Sequence, residues 1–195
     1  MGEVFEFTVN GQVQRTEEDK PLLRYLRDDL KLYSVKDGCS EGACGTCTIV
    51  VDGKAIKSCV LTTKRAVGRN ILTVEGLSDE WKDAFVYAFG AVGAVQCGFC
   101  IPGMVMAGTA LLQNNLNPTE EDVKYALRGN ICRCTGYKKI IEGILLTAKI
   151  LRGEASVDEN LEKGDLYGVG QRAFRVDVRK KVLGFGKYPD DIELD

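Results

Sequence analysis

Eight cysteines fall into two groups of four, and their spacing is the feature of this sequence that can carry chemistry. The first group, Cys39, Cys44, Cys47 and Cys59, is spaced C-x4-C-x2-C-x11-C. Three thiols so close in sequence must share one tight loop, and Gly38, Gly42 and Gly45 let its backbone curl and turn N–H groups toward sulfur. The opening intervals are those of a loop that binds a [2Fe–2S] cluster through four thiolates, with Cys59 closing the site. Zinc sites usually pair two similar C-x2-C knuckles, a pattern this loop departs from. A Rieske centre needs two histidines, and the chain has none. The second group, Cys97, Cys100, Cys132 and Cys134, is spaced C-x2-C-x31-C-x1-C. Taken alone, Cys97-Gly98-Phe99-Cys100 ahead of a helix could be a redox-active dithiol, because a helix N-terminus lowers thiol pKa. Cys132-Arg133-Cys134 also precedes a predicted helix. Two cysteine pairs would then meet at adjacent helix starts, whose dipoles favour the negative charge of four thiolates and a cluster.

These loops need a scaffold, and the 195 residues, 45% hydrophobic and 28% charged, suffice for one large domain or two small ones. Val4, Phe5, Phe7, Val9 and Val13 around Asn10-Gly11 predict a hairpin. Pro21 suits a first helical turn, and Leu22, Leu23, Leu26 and Leu30 follow at helical spacing. Thr48–Val51 leads to a second hairpin signal at Asp52-Gly53, and a further strand is expected at 71–74. From Asp79 the period becomes helical. The expected helices run from about Trp81 to Val95, from Pro102 through Leu111, from the capping pair Thr119 and Asp122 through Leu127, and from Tyr137 to Gly153. Beyond residue 155 the chain turns polar, which predicts a tail without a core of its own.

Lys plus Arg number 26 against 28 Asp plus Glu, so no strong field draws nucleic acid or anionic membrane. The early acidic residues exclude a signal peptide of the usual form, and no segment reaches membrane-spanning length. A cytoplasmic location is expected, where cysteines are kept as thiols and serve as metal ligands. Without histidine, and with no other candidate catalytic residue, substrate acid–base chemistry is not expected here.

Val35-Lys36-Asp37-Gly38-Cys39-Ser40-Glu41-Gly42-Ala43-Cys44-Gly45-Thr46-Cys47-Thr48 resembles the first cluster motif of the iron–sulfur subunit of molybdenum hydroxylases, the xanthine dehydrogenase and aldehyde oxidase family. Gln96-Cys97-Gly98-Phe99-Cys100-Ile101-Pro102-Gly103 and Asn130-Ile131-Cys132-Arg133-Cys134-Thr135-Gly136-Tyr137 resemble the second. The resemblance implies an α+β chain. Residues 1–77 would be a β-grasp, plant-ferredoxin-like domain, 78–155 a four-helix domain, and 156–195 an extended tail docking on a large subunit. It implies two [2Fe–2S] clusters, with molybdopterin on that large subunit and FAD on a further partner. It places Gln96 and Cys134 near the pterin; for Gln96 a simple helix-end hydrogen bond is the alternative. Electrons would enter through the second cluster and leave through the first. The tail runs Gly168-Val169-Gly170-Gln171, Arg175-Val176-Asp177, Lys181-Val182-Leu183-Gly184 and Tyr188-Pro189-Asp190-Asp191-Ile192 resemble the opening of the large subunit, which some members carry in the same chain. A purine hydroxylase is the favoured member type, with an aldehyde or nicotinate enzyme or a free-standing two-cluster ferredoxin as alternatives.

Overall fold

The computed structural model describes residues 3–157 and 174–192. Phe5–Val9 (β1) and Gln12–Thr16 (β2) pair antiparallel, and Thr48–Val51 (β3) pairs likewise with Lys54–Lys57 (β4). Each hairpin turns on two residues of positive φ, Asn10 (51°) and Gly11 (80°), then Asp52 (48°) and Gly53 (76°). Two such residues give the turn whose twist matches the flanking strands. Asn70–Leu72 (β5) lies between the hairpins, parallel to β1 and antiparallel to β3, giving the order β2-β1-β5-β3-β4. This strand is shorter than expected, because Asn10 takes over at Thr73. The Asn10 side chain accepts from Thr73 N (2.9 Å) and donates to Thr73 Oγ1 (3.0 Å). The chain then enters a 3-10 turn at Val74–Gly76, where a Cβ on Gly76 would lie 2.2 Å from Asn10 Oδ1.

The helix after Pro21 is one α-turn, Leu22–Arg24 (α1), continued by a wide π-turn at Tyr25–Asp29. Its Leu22, Leu23 and Leu26 bury against Phe7, Val9, Ile49, Val51 and Ile71 of the sheet. Strand β3 is buried on both faces. Ile49 and Val51 point into this core, while Val50 joins a second core built by helices.

That second core is formed by Asp79–Val92 (α2), Ile101–Asn114 (α3), Glu120–Leu127 (α4) and Lys138–Leu151 (α5). Helix α2 stops earlier than expected because Gly93 takes the left-handed conformation (φ 72°). Pro102 sits in the first turn of α3, and Thr119 and Asp122 make the expected capping box of α4. Helices α2 and α5 close across Gly143, where a Cβ would lie 3.0 Å from the Phe89 ring.

The tail departs from the expected extended form. Val178–Val182 is a short helix (α6), and Phe174, Val178, Val182 and Leu183 are buried in the helical core. Val178 and Val182 stand one turn apart on a single face. Phe174 fills the space over Gly90, where a Cβ would meet its ring at 2.0 Å. The run Gly168–Gln171 lies outside the described residues.

Candidate metal centres

The loop of the first cysteine group joins the π-turn to β3, and Cys59 follows β4 in a 3-10 turn at Ser58–Val60. Ser40, Gly42 and Gly45 have positive φ, which curls the loop inward. Its amides then meet sulfur. Gly42 N donates to Cys59 Sγ (3.2 Å), Cys44 N to Cys39 Sγ (3.4 Å) and Glu41 N to Cys39 Sγ (3.5 Å). The loop is tied down by side chains whose sequence context gave little warning. Lys57 Nζ donates to the Gly42 and Ala43 carbonyls, and Asp37 accepts from Ser40 N and Oγ while pairing with Arg24. The backbone bonds from Cys44 and Glu41 hold the Cys39 thiol down to about 7, whereas burial pushes Cys47 up to about 11.

The second group sits at two helix starts. Cys97 and Cys100 precede α3, with Cys100 as its N-cap, and Cys132 and Cys134 precede α5. Cys97 Sγ lies 3.6 Å from Cys134 Sγ, and Cys100 meets Cys132. Pairing therefore runs between the two motifs. A dithiol of the C-x2-C kind would pair Cys97 with Cys100 instead. Thr135 Oγ1 donates to Cys132 Sγ (3.1 Å), and Cys132 N donates to the Tyr137 hydroxyl (3.0 Å). Burial drives the Cys100 thiol well up; Cys132 is lowered despite burial by the Thr135 hydroxyl and the N–H groups of Cys134 and Thr135. Gln96, Cys97 and Cys134 are exposed, whereas Cys100 and Cys132 are buried.

The two groups are joined by a short bridge. Ile131 N donates to the Cys44 carbonyl (2.8 Å), and the buried Asn130 side chain donates to the Gly45 carbonyl (2.8 Å) and Thr48 Oγ1 (3.1 Å). Gly45 and Gly103 permit this approach, since a Cβ on either would lie within 2.5 Å of a backbone oxygen. Only one hydrogen bond and one residue separate Cys44 from Cys132.

The eight thiols are free of disulfides. Among the described residues no three ligand side chains converge as a single-ion site does. A two-iron cluster instead takes two thiolates on each iron, and both groups are built as two pairs, Cys39 with Cys44 and Cys47 with Cys59, then Cys97 with Cys134 and Cys100 with Cys132. N–H and hydroxyl donors aimed at sulfur are what such thiolates require. The donor set fits.

Residues 7–71 match the family described as a 2Fe-2S iron-sulfur cluster binding domain, and residues 73–145 match that described as a [2Fe-2S] binding domain. Two such domains in one chain define its class, a two-cluster iron–sulfur protein. Over 135 residues the chain is 44% identical to the nicotinate dehydrogenase small FeS subunit of Eubacterium barkeri, covering 68% of this chain and 86% of that protein. It is 43% identical over 145 residues to the xanthine dehydrogenase iron-sulfur-binding subunit of Escherichia coli O157:H7, covering 72% and 91%. The aldehyde oxidoreductase from Desulfovibrio desulfuricans ATCC 27774 superposes with a TM-score of 0.84 at 34% identity, over 97% of this chain and 22% of that longer one. The chain belongs to the iron–sulfur subunits of the molybdenum hydroxylase family. These are subunits of oxidoreductases whose substrate chemistry lies on another subunit.

Proposed function

We propose that this chain relays single electrons from a molybdenum cofactor on a large subunit to a flavin or other acceptor, through one [2Fe–2S] cluster on Cys39, Cys44, Cys47 and Cys59 and another on Cys97, Cys100, Cys132 and Cys134. The observation that carries this reading is the bridge from Cys44 O to Ile131 N, which brings two pairwise-arranged thiol sets together through a single hydrogen bond. The clusters supply one-electron chemistry when bound. The chain's own residues supply the thiolates, aim N–H groups at them and hold the two loops in register. Electrons enter at the second site, where Cys134 and Gln96 are exposed to approach a pterin, and leave at the first.

The domain division at 1–77, 78–155 and 156–195, with a β-grasp sheet and a four-helix bundle, is the architecture we assign; the sheet order supports its first part, and the tail's Phe174, Val178, Val182 and Leu183 pack into the helical core. The outer side of the tail would meet the large subunit, for Val176 is 95% and Phe185 61% exposed. Among the described residues no helix is long and apolar enough to cross a membrane. A reducing cytoplasm and an FAD-binding partner complete the assignment. For substrate we propose a purine, with an aldehyde or nicotinate as the alternative; relatives named for xanthine, nicotinate and aldehyde support these readings.

The test is an iron and acid-labile sulfide count with EPR of the reduced protein. About four irons and two distinct signals are expected. Cys134→Ala should remove one signal and spare the other. A colourless protein, or unchanged signals in the variant, would overturn the assignment, and purification without a molybdopterin protein would favour a free-standing ferredoxin.

A further inference from the structure

The described tail lies directly on the Cys97 loop. Three successive carbonyls between α2 and α3 accept from it: Val95 O from Arg175 Nη1 (3.2 Å), Gln96 O from Lys181 Nζ (3.1 Å) and Cys97 O from the Tyr188 hydroxyl (2.8 Å). Carbonyls in a connection between helices have no ladder to join and need such donors. Gly98 (φ +91°) lies beneath the same side chains, where a Cβ would be 2.6 Å from Lys181 Cδ and 2.8 Å from the Tyr188 oxygen. The Tyr188 ring stands edge-on to Phe99, with centroids 5.1 Å apart.

The far end of the tail grips the approach to the first site. Asp191 pairs with Lys36 (2.6 Å) and Arg27 (2.9 Å), all three side chains at least 96% buried, and Lys36 also donates to Gly186 O (3.2 Å). Lys36 begins the run to Cys39, and its carbonyl accepts from Thr46, whose hydroxyl lies 3.2 Å from Cys44 Sγ. Arg27 in turn donates to Val35 O (2.9 Å).

We propose that residues 174–192 are a clasp in cis that fixes both cysteine loops, with Arg175, Lys181 and Tyr188 as positioning residues for the second cluster. Asp177 pairs with both Arg175 and Lys181 and so holds the two donors over the loop. The Eubacterium barkeri protein matches 68% of this chain with 86% of its own length. The long aldehyde oxidoreductase chain matches 97%.

The proposal rests on the two-cluster reading, which the iron count on the wild-type chain tests separately. For the clasp, hydrogen exchange and EPR are measured on the cluster-loaded full chain and on Tyr188→Phe, which keeps the ring and removes the hydroxyl. Exchange at the amides of residues 97–100 should rise about five- to tenfold, the factor one hydrogen bond is worth. The second cluster's signal should change in g-values or linewidth, with the first cluster's signal unaltered and α6 still protected. Asp191→Asn, which frees the other end without touching Cys97, should instead raise exchange at both loops. Unchanged exchange and an unchanged second signal in Tyr188→Phe would overturn the proposal. So would a rise in loop exchange seen only together with loss of protection across α6, since the hydroxyl would then have no positioning role of its own.

Discussion

Gly45 shows how closely single residues set the distance between the two sites. Its φ of +73° suits glycine, and its missing Cβ leaves room for Gly129 O, which such an atom would meet at 2.3 Å. Gly68 has nearly the same φ, +72°, but faces open space. Gly68→Ala should therefore lose only the left-handed penalty of about 1 kcal/mol. Gly45→Ala adds a clash with backbone and should lose roughly 2–4 kcal/mol in urea unfolding. Equal losses would show that the close approach to Gly129 contributes nothing. Asn130 explains why the approach is worth making: its amide is satisfied by Gly45 O and Thr48 Oγ1 in a place where an unpaired polar group would be costly.

At the scale of elements, the helix starts differ in what they carry. The N-terminus of α4 serves packing alone. Thr119 Oγ1 accepts from Asp122 N (3.2 Å), and Asp122 accepts from Thr119 N (2.8 Å), which keeps that carboxyl below its usual range. Thr119→Ala should cost about 1 kcal/mol of thermal stability and leave both cluster signals as they are. A change in either signal would mean that α4 also governs the loop leading to Cys132. Helix α3 has Cys100 at its N-cap, whereas α5 is capped by Tyr137 and its cysteines stand in the turn just before it.

The whole molecule is two cores joined through β3 and overlaid by the tail, and the tail's fastenings are acid-sensitive. Arg175, and beyond it Lys181, hold the Asp177 carboxyl down to about 2, against about 3.9 for a free aspartate. Burial raises Asp191, but the bonds from Lys36 and Arg27 prevail and lower it. A carboxyl depressed on folding stabilises above its unfolded pKa, and that contribution fades as pH falls through the folded one. Asp177→Asn should thus lower the melting temperature at pH 7 and pH 5. The gap to wild type should narrow from about pH 4 toward pH 2. Because both proteins are compared at each pH, acid effects common to them cancel. A gap that stayed constant down to pH 3 would show that the Asp177 charge does not hold the tail.

Much of this was legible along the chain. The grouping of the eight cysteines, both Asx-Gly hairpins, the Thr119 capping box and the helical periods are set by neighbours a few residues apart, so sequence by itself determined them. The partner of each thiol was not legible. Cys97 meets Cys134 across 37 positions because α3 and α5 share one core, and only that packing sets Cys97 beside Cys134. The end of β5 was hidden for the same reason, since Asn10 reaches it from the other end of the sheet-forming region. The tail reads as polar because its apolar residues, Phe174, Val178, Val182 and Leu183 among them, carry weak periodicity among lysines and glycines. Their burial comes from contacts of the tail helix with α2 and α3, elements distant from it in the chain, and tertiary structure alone decided it.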